Sequence, residues 1–165
     1  MKNSFTVAIV ASAVLALSVS TACSSAAAAE LQTGDCLKIG GPPDRPDVVR
    51  AVCGSPESNF KVISTVDNTD QCASDVDSYY SARGSFSGTA TTLCLDIDWV
   101  VGGCMSIDPD NDRDPVRVDC TDGSAANRQR ATQVLRDVAN ADQCASGVGY
   151  PYDERQFTVC VEDVS

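Results

Sequence analysis

One long apolar run and many short alternating ones divide this chain. Fifteen consecutive residues from Phe5 to Val19 carry no charge, and Lys2 precedes them. A basic start followed by a short apolar stretch is the layout of an export signal, too short to span a bilayer comfortably. No later apolar run approaches the ~20 residues of a membrane-spanning helix. Instead, short period-two runs are bounded by Gly, Pro, Asn and Asp. They predict strands at Cys36–Ile39, Val48–Cys53, Phe60–Val66 and Thr91–Ile97. In the last of these, Leu93, Leu95 and Ile97 alternate with Cys94, Asp96 and Asp98. That is the pattern of a half-buried strand whose two acids face solvent. Gly40-Gly41-Pro42-Pro43-Asp44 predicts the turn after the first strand, and Asp70–Tyr80 predicts a short helical segment.

The pattern then repeats. Cys36, Cys53, Cys72 and Cys94 are followed by Cys104, Cys120, Cys144 and Cys160, at offsets of 68, 67, 72 and 66 residues. Val62–Ser74 (VISTVDNTDQCAS) and Val134–Ser146 (VLRDVANADQCAS) share eight of thirteen residues without a gap. Tyr80 before Leu93-Cys94 echoes Tyr152 before Val159-Cys160 more loosely. The chain therefore reads as a tandem duplication, unit one at 31–98 and unit two at 99–165. Apolar Trp99-Val100-Val101 at the junction implies that the units abut. The duplication aligns Val134–Val138 with the strand Val62–Val66, although Ala125–Ala139 also has helical spacing at Ala131, Val134, Leu135 and Val138. A helical turn or two at Asp122–Gln129 is compatible with both. The expected fold class is α+β or mainly β: two small disulfide-bonded antiparallel-sheet units.

Composition sharpens this picture. Of 165 residues, nine are cysteine and none is histidine, and the formal charge is −11. The missing histidine removes Ser-His-Asp and Cys-His nucleophilic sites and every imidazole ligand. An acidic chain with nine aromatic residues has no surface suited to tracking phosphates or stacking bases, so nucleic acid is not an expected partner. Nine cysteines belong to an oxidising compartment. Eight make the two fourfold sets; the ninth, Cys23, lies at the export signal. Ser20-Thr21-Ala22-Cys23 resembles a bacterial lipobox, with Ser20 where an apolar residue is expected, and cleavage there would leave a lipidated Cys23 as the first residue. The competing site is Ala27-Ala28-Ala29, with ordinary cleavage after Ala29. A lipid on Cys23 would be the chain's only membrane attachment. Within each unit, pairing first with second and third with fourth cysteine closes short local loops; a crossed pairing is the alternative.

Few residues suggest chemistry. Asp108, Asp110, Asp112 and Asp114, with Asp119 beyond them, fall at positions 1, 3, 5, 7 and 12 of a calcium-loop spacing. Arg113 stands where the loop wants glycine, and Pro115 follows. A solvated turn is the simpler reading; calcium binding or carboxylate-based hydrolysis is the sharper one. Ser58-Asn59-Phe60-Lys61 fits S-x-x-K without its companion motifs. No C-x-x-C occurs, and each of the eight cysteines has a counterpart, which points to structural bridges. Arg128, Arg130 and Arg136 are the basic cluster of unit two and offset neighbouring acids. In the paired Asp-Gln-Cys motifs, at Asp70 and Asp142, Asp or Gln is suited to capping a turn. No catalytic residue and no cofactor is called for.

Gly34-Asp35-Cys36-Leu37, Val52-Cys53, Asn59–Val66, Gln71-Cys72, Tyr79-Tyr80 and Leu93-Cys94-Leu95 together resemble the extracytoplasmic domain of LppU-like actinobacterial envelope lipoproteins. More distantly, they are similar to septum-formation-type domains. The resemblance covers unit one well and unit two loosely, and here the domain is doubled. It implies export, anchoring and a small disulfide-bonded domain, and it brings no catalytic residues. The functional expectation is a non-enzymatic envelope protein, structural or acting by binding an envelope protein or polymer. Its acidity favours a basic or cation-bearing partner.

Overall fold

A computed structural model describes residues 30–42, 44–83 and 90–164. The export-signal reading at 1–29, with Cys23, and Pro43 of the first predicted turn lie outside the described residues.

The protein is mainly β. Unit one contains β1 (Cys36–Gly40), β2 (Asp47–Ala51), β3 (Phe60–Val66), β4 (Ser78–Arg83) and β5 (Ala90–Ile97). Unit two contains β6 (Cys104–Ser106), β7 (Val116–Val118), β8 (Arg128–Arg136), β9 (Gly149–Tyr152) and β10 (Phe157–Val164). All neighbours are antiparallel, and the two five-stranded sheets share one order, β2-β1-β3-β5-β4 and β7-β6-β8-β10-β9. Alternation places Leu37, Ile39, Phe60, Val62, Leu93 and Leu95 in one core, capped by Leu31. Ala131, Tyr152, Val159 and Val161 form the second core, against which Trp99, Tyr150 and Phe157 pack. Cys36–Cys53, Cys72–Cys94, Cys104–Cys120 and Cys144–Cys160 are bonded, which is the local pairing.

Two predicted helical stretches are not helical. Asp70–Tyr80 holds only the end of one 3-10 turn, Thr69–Gln71, after which Tyr79 and Tyr80 enter β4 opposite Cys94 and Leu93. At Asp122–Gln129, local bonds win: Asp122 accepts from the Ser124 N–H at 3.0 Å, and Asp119 accepts from Thr121 just before it at 2.8 Å. Such side-chain bonds offer the backbone an alternative to a helix. The Asp-Gln-Cys motif is also explained, with a different capping residue. Asn68 and Asn140 accept from the N–H of Asp70 and Asp142, at 3.1 and 2.9 Å. Gln71 accepts from the Asp67 N–H at 3.0 Å.

The duplication holds, but its register shifts. Val62 exchanges backbone bonds with Gly34 and Asp35, and it is Ala131 that does so with Gly102 and Gly103. Val134 lies opposite Val159, as Thr65 lies opposite Leu93, so Val134 corresponds to Thr65 and not to Val62. Tyr80 likewise corresponds to Tyr150, because these face Leu93 and Val159. Extra residues between β8 and Asn140 restore the offset at the third cysteine.

Candidate functional site

The units are joined by side chains that the duplication does not repeat. Arg117 of β7 donates to the backbone oxygen and to Oδ2 of Asp98, the latter at 3.2 Å. Oδ2 of Asp98 also accepts from the Gly54 N–H and Ser58 Oγ, both at 2.6 Å. Arg50, the counterpart of Arg117, reaches Asp35 and the Glu30 carbonyl inside its own unit. Asn59 folds its amide onto Ile39 and donates across to the Pro115 carbonyl at 3.1 Å.

A second joint forms where the β9–β10 hairpin reaches unit one. Arg155 donates to Asp75 Oδ1 at 2.8 Å and to both oxygens of Asp96, at 2.5 and 3.0 Å. Its guanidinium lies 4.8 Å from the Tyr152 ring centre, and Tyr152 stacks on Phe157 at 4.2 Å. Asp75 also accepts the backbone N–H groups of Glu154 and Arg155, and Glu154 accepts from Ser74. Asp96 and Asp98 are thus buried, at 9% and 6% exposure, rather than solvent-facing as their alternation predicts. Unit two covers the face that the pattern assigns to water.

Asp77 is the odd carboxylate in this joint. Its Oδ2 accepts from the Ile97 N–H and the Tyr152 hydroxyl, each at 2.7 Å. Desolvation nevertheless pushes its pKa up to about 6, helped by the nearby Asp96 and opposed by those two hydrogen bonds and Arg155. The folded form therefore keeps a proton that the unfolded chain releases near 3.8. Its contribution to stability is complete below that value and is lost as pH rises through about 6. Asp75 has the opposite sign: against desolvation, Arg155 holds it below the ordinary range, so its contribution is lost on acidification. Asp77→Asn keeps an acceptor for both donors. It is expected to remove the Asp77 share of the stability fall between about pH 4 and 7, some 2–3 kcal/mol. Urea midpoints measured across that range check this; an unchanged pH profile contradicts it.

Between the joints lies an open cleft of about 800 Å³. Ile39, Phe60, Tyr80 and Ile97 of unit one line it, facing Ile107 and Tyr150 of unit two. Asn111 to Pro115 of the β6–β7 loop and Val116 and Arg117 of β7 also line it, as do Lys38 and Glu57 of unit one. A smaller cavity of about 370 Å³ adjoins at Ile107 and Tyr150.

The structure disperses the sequence-predicted metal candidates. Asp108 is held by Arg113 at 3.1 Å and by the Asp110 N–H at 3.3 Å, and these contacts draw its pKa below the ordinary range. Asp112 and Asp114 instead line the cleft. Among the described residues, the one group of three metal-capable atoms lying within 4.8 Å of one another is Cys36, Cys53 and Asp98. Its two sulfurs are bonded to each other. Asp119 is occupied by Thr121. Ser58 of the S-x-x-K match donates to Asp98, while Lys61 is exposed on β3 opposite Asp96. In the basic cluster, Arg130 pairs with Glu162 at 3.0 Å and Arg128 donates to the Cys120 carbonyl at 3.1 Å. No motif or spacing in the sequence singles out Arg155. Its one signal was position, in the short segment between two strands of unit two.

Fold and site together define a tandem all-antiparallel, disulfide-bonded protein with a cleft between its halves. Neither the family models, nor the curated proteins, nor the solved structures contain a match to this chain. The four disulfides fit an oxidising, extracytoplasmic setting. Among the described residues, no helix is long and apolar enough to cross a membrane.

Proposed function

We propose that the chain is a non-enzymatic binding protein of the bacterial cell envelope. It is held outside the cytoplasm by a lipid on Cys23 or released there by cleavage after Ala29. The observation that carries this reading is the inter-unit cleft, set in a frame of four disulfides. Small-molecule and peptide sites sit preferentially in such clefts between units, with an apolar floor and a few polar groups at the rim. The export signal and the resemblance to LppU-like lipoproteins support the location. The calcium or hydrolytic alternative loses its main support, because Asp108 is engaged by Arg113.

Location is tested in a bacterial host fed a clickable fatty acid. Wild-type protein is expected in the membrane fraction carrying label, and Cys23→Ala is expected soluble and unlabelled. An unlabelled secreted protein beginning at Glu30 selects cleavage after Ala29. A cytoplasmic product retaining Met1 and free thiols overturns the proposal.

A further inference from the structure

The cleft carries a charge imbalance that its own side chains do not settle. Two of its three basic groups are already committed: Arg113 to Asp108 at 3.1 Å, and Arg117 to Asp98 at 3.2 Å. Of its acids, Asp77 is engaged by Ile97 and Tyr152. Glu57, Asp112 and Asp114 remain, and among the described residues they make no hydrogen bond or ion pair. Lys38 is the single uncommitted base in the lining. Three uncommitted carboxylates against one ammonium leave a local excess of negative charge beside an apolar floor.

The floor narrows the chemistry further. Tyr80 and Tyr150 contribute partly exposed aromatic rings, with Ile97 beside them, while Phe60 and Ile39 lie buried in the core of unit one. Ring faces attract cations as well as apolar stems. Asp114 is exposed at the cleft, and partial desolvation moves its carboxyl above the ordinary range with no cation beside it. The volume, about 800 Å³, lies within the range of small-ligand and side-chain sites. A net charge of −11 concentrates cations near the protein before they dock.

We propose that this cleft binds a lysine or arginine side chain of a basic peptide segment. The aliphatic stem lies on the aromatic floor, and the charge meets Asp114 and Asp112. This rests on the binding-protein reading above and adds to it the site and the class of partner. A plain acidic surface would attract cations diffusely. A cleft with an apolar floor also requires the stem.

The test is calorimetric titration of the exported, oxidised protein. The probes are Ac-Leu-Lys-Leu-NH2, its Leu-Glu-Leu counterpart and n-butylammonium. Emission of Trp99, whose ring lies 5.3 Å from that of Tyr150, reports events at the cleft wall. The lysine peptide is expected to bind at micromolar to millimolar concentration with a change in that emission. The glutamate peptide is expected not to bind, and butylammonium is expected to bind more weakly than the lysine peptide. Asp114→Asn should weaken peptide binding by about three- to tenfold, with the urea midpoint unchanged. Asp110→Asn, outside the cleft lining, should leave binding as it was. Equal binding of both peptides, no effect of Asp114→Asn, or no binding at all overturns the proposal. Butylammonium binding as tightly as the peptide overturns its peptide part. These outcomes are independent of lipid labelling at Cys23, so failure of the site and failure of the envelope location are told apart.

Discussion

Replacing Arg155 by alanine is expected to destabilise the protein by about 3 kcal/mol and to split its unfolding into two transitions. The substitution leaves Asp75 and Asp96 facing each other in a largely covered joint without their cation. Breaking a buried pair by removing one partner costs ~3–5 kcal/mol, and the 22% exposure of the Arg155 side chain places it at the lower end. The packing of its guanidinium over Tyr152 and Phe157 goes too. Arg155→Lys keeps the charge and loses the two-pronged grip on Asp96, so it should recover only part of the loss. Urea unfolding followed both by Trp99 emission and by far-ultraviolet circular dichroism measures this. A single unsplit transition with a loss below about 0.5 kcal/mol contradicts it.

Reduction is expected to have a larger effect. The four disulfides close segments of 17, 22, 16 and 16 residues. Loop entropy assigns each about 3 kcal/mol, roughly 12 kcal/mol together, which is as much as the whole stability of a typical domain. Units of this size bury too little surface to fold on their cores alone. The reduced chain should therefore lose near-ultraviolet dichroism and amide protection at room temperature. Cys36–Cys53 has an added role, because the segment just after Cys53 supplies the Gly54 and Ser58 donors that hold Asp98. A reduced protein that still unfolds cooperatively would show that the cores suffice.

Much of the fold was legible because it is local. Period-two runs located β1, β3 and β5 to within a residue at each end, and cysteine spacing located the bridges. The errors arose where identity and geometry part. VISTVDNTDQCAS and VLRDVANADQCAS align without a gap because the Asn-x-Asp-Gln-Cys turn is kept by its capping bonds. The strand before it slid by three residues, since Val134 takes the place of Thr65. Asp96 and Asp98 were misread for a different reason. Alternation tells which residues share a face and is silent on what lies against that face. Here the covering surface comes from Arg117 and Arg155, 19 and 59 residues away. The cleft is of the same kind, since its walls belong to different units. Of its lining, Asp112, Asp114 and Ser58 were flagged as candidates, and each for another chemistry.

Whether the two units are docked through Arg155 is tested most directly by a double-mutant cycle on Arg155→Ala and Asp96→Asn, read as urea unfolding free energies. Close partners across a joint couple by ~0.5–3 kcal/mol, and this two-pronged, mostly buried contact predicts a value in the upper half of that range. Losses that simply add would mean that the hairpin of unit two is not docked on unit one through Arg155, leaving the Arg117–Asp98 joint to hold the cleft walls together.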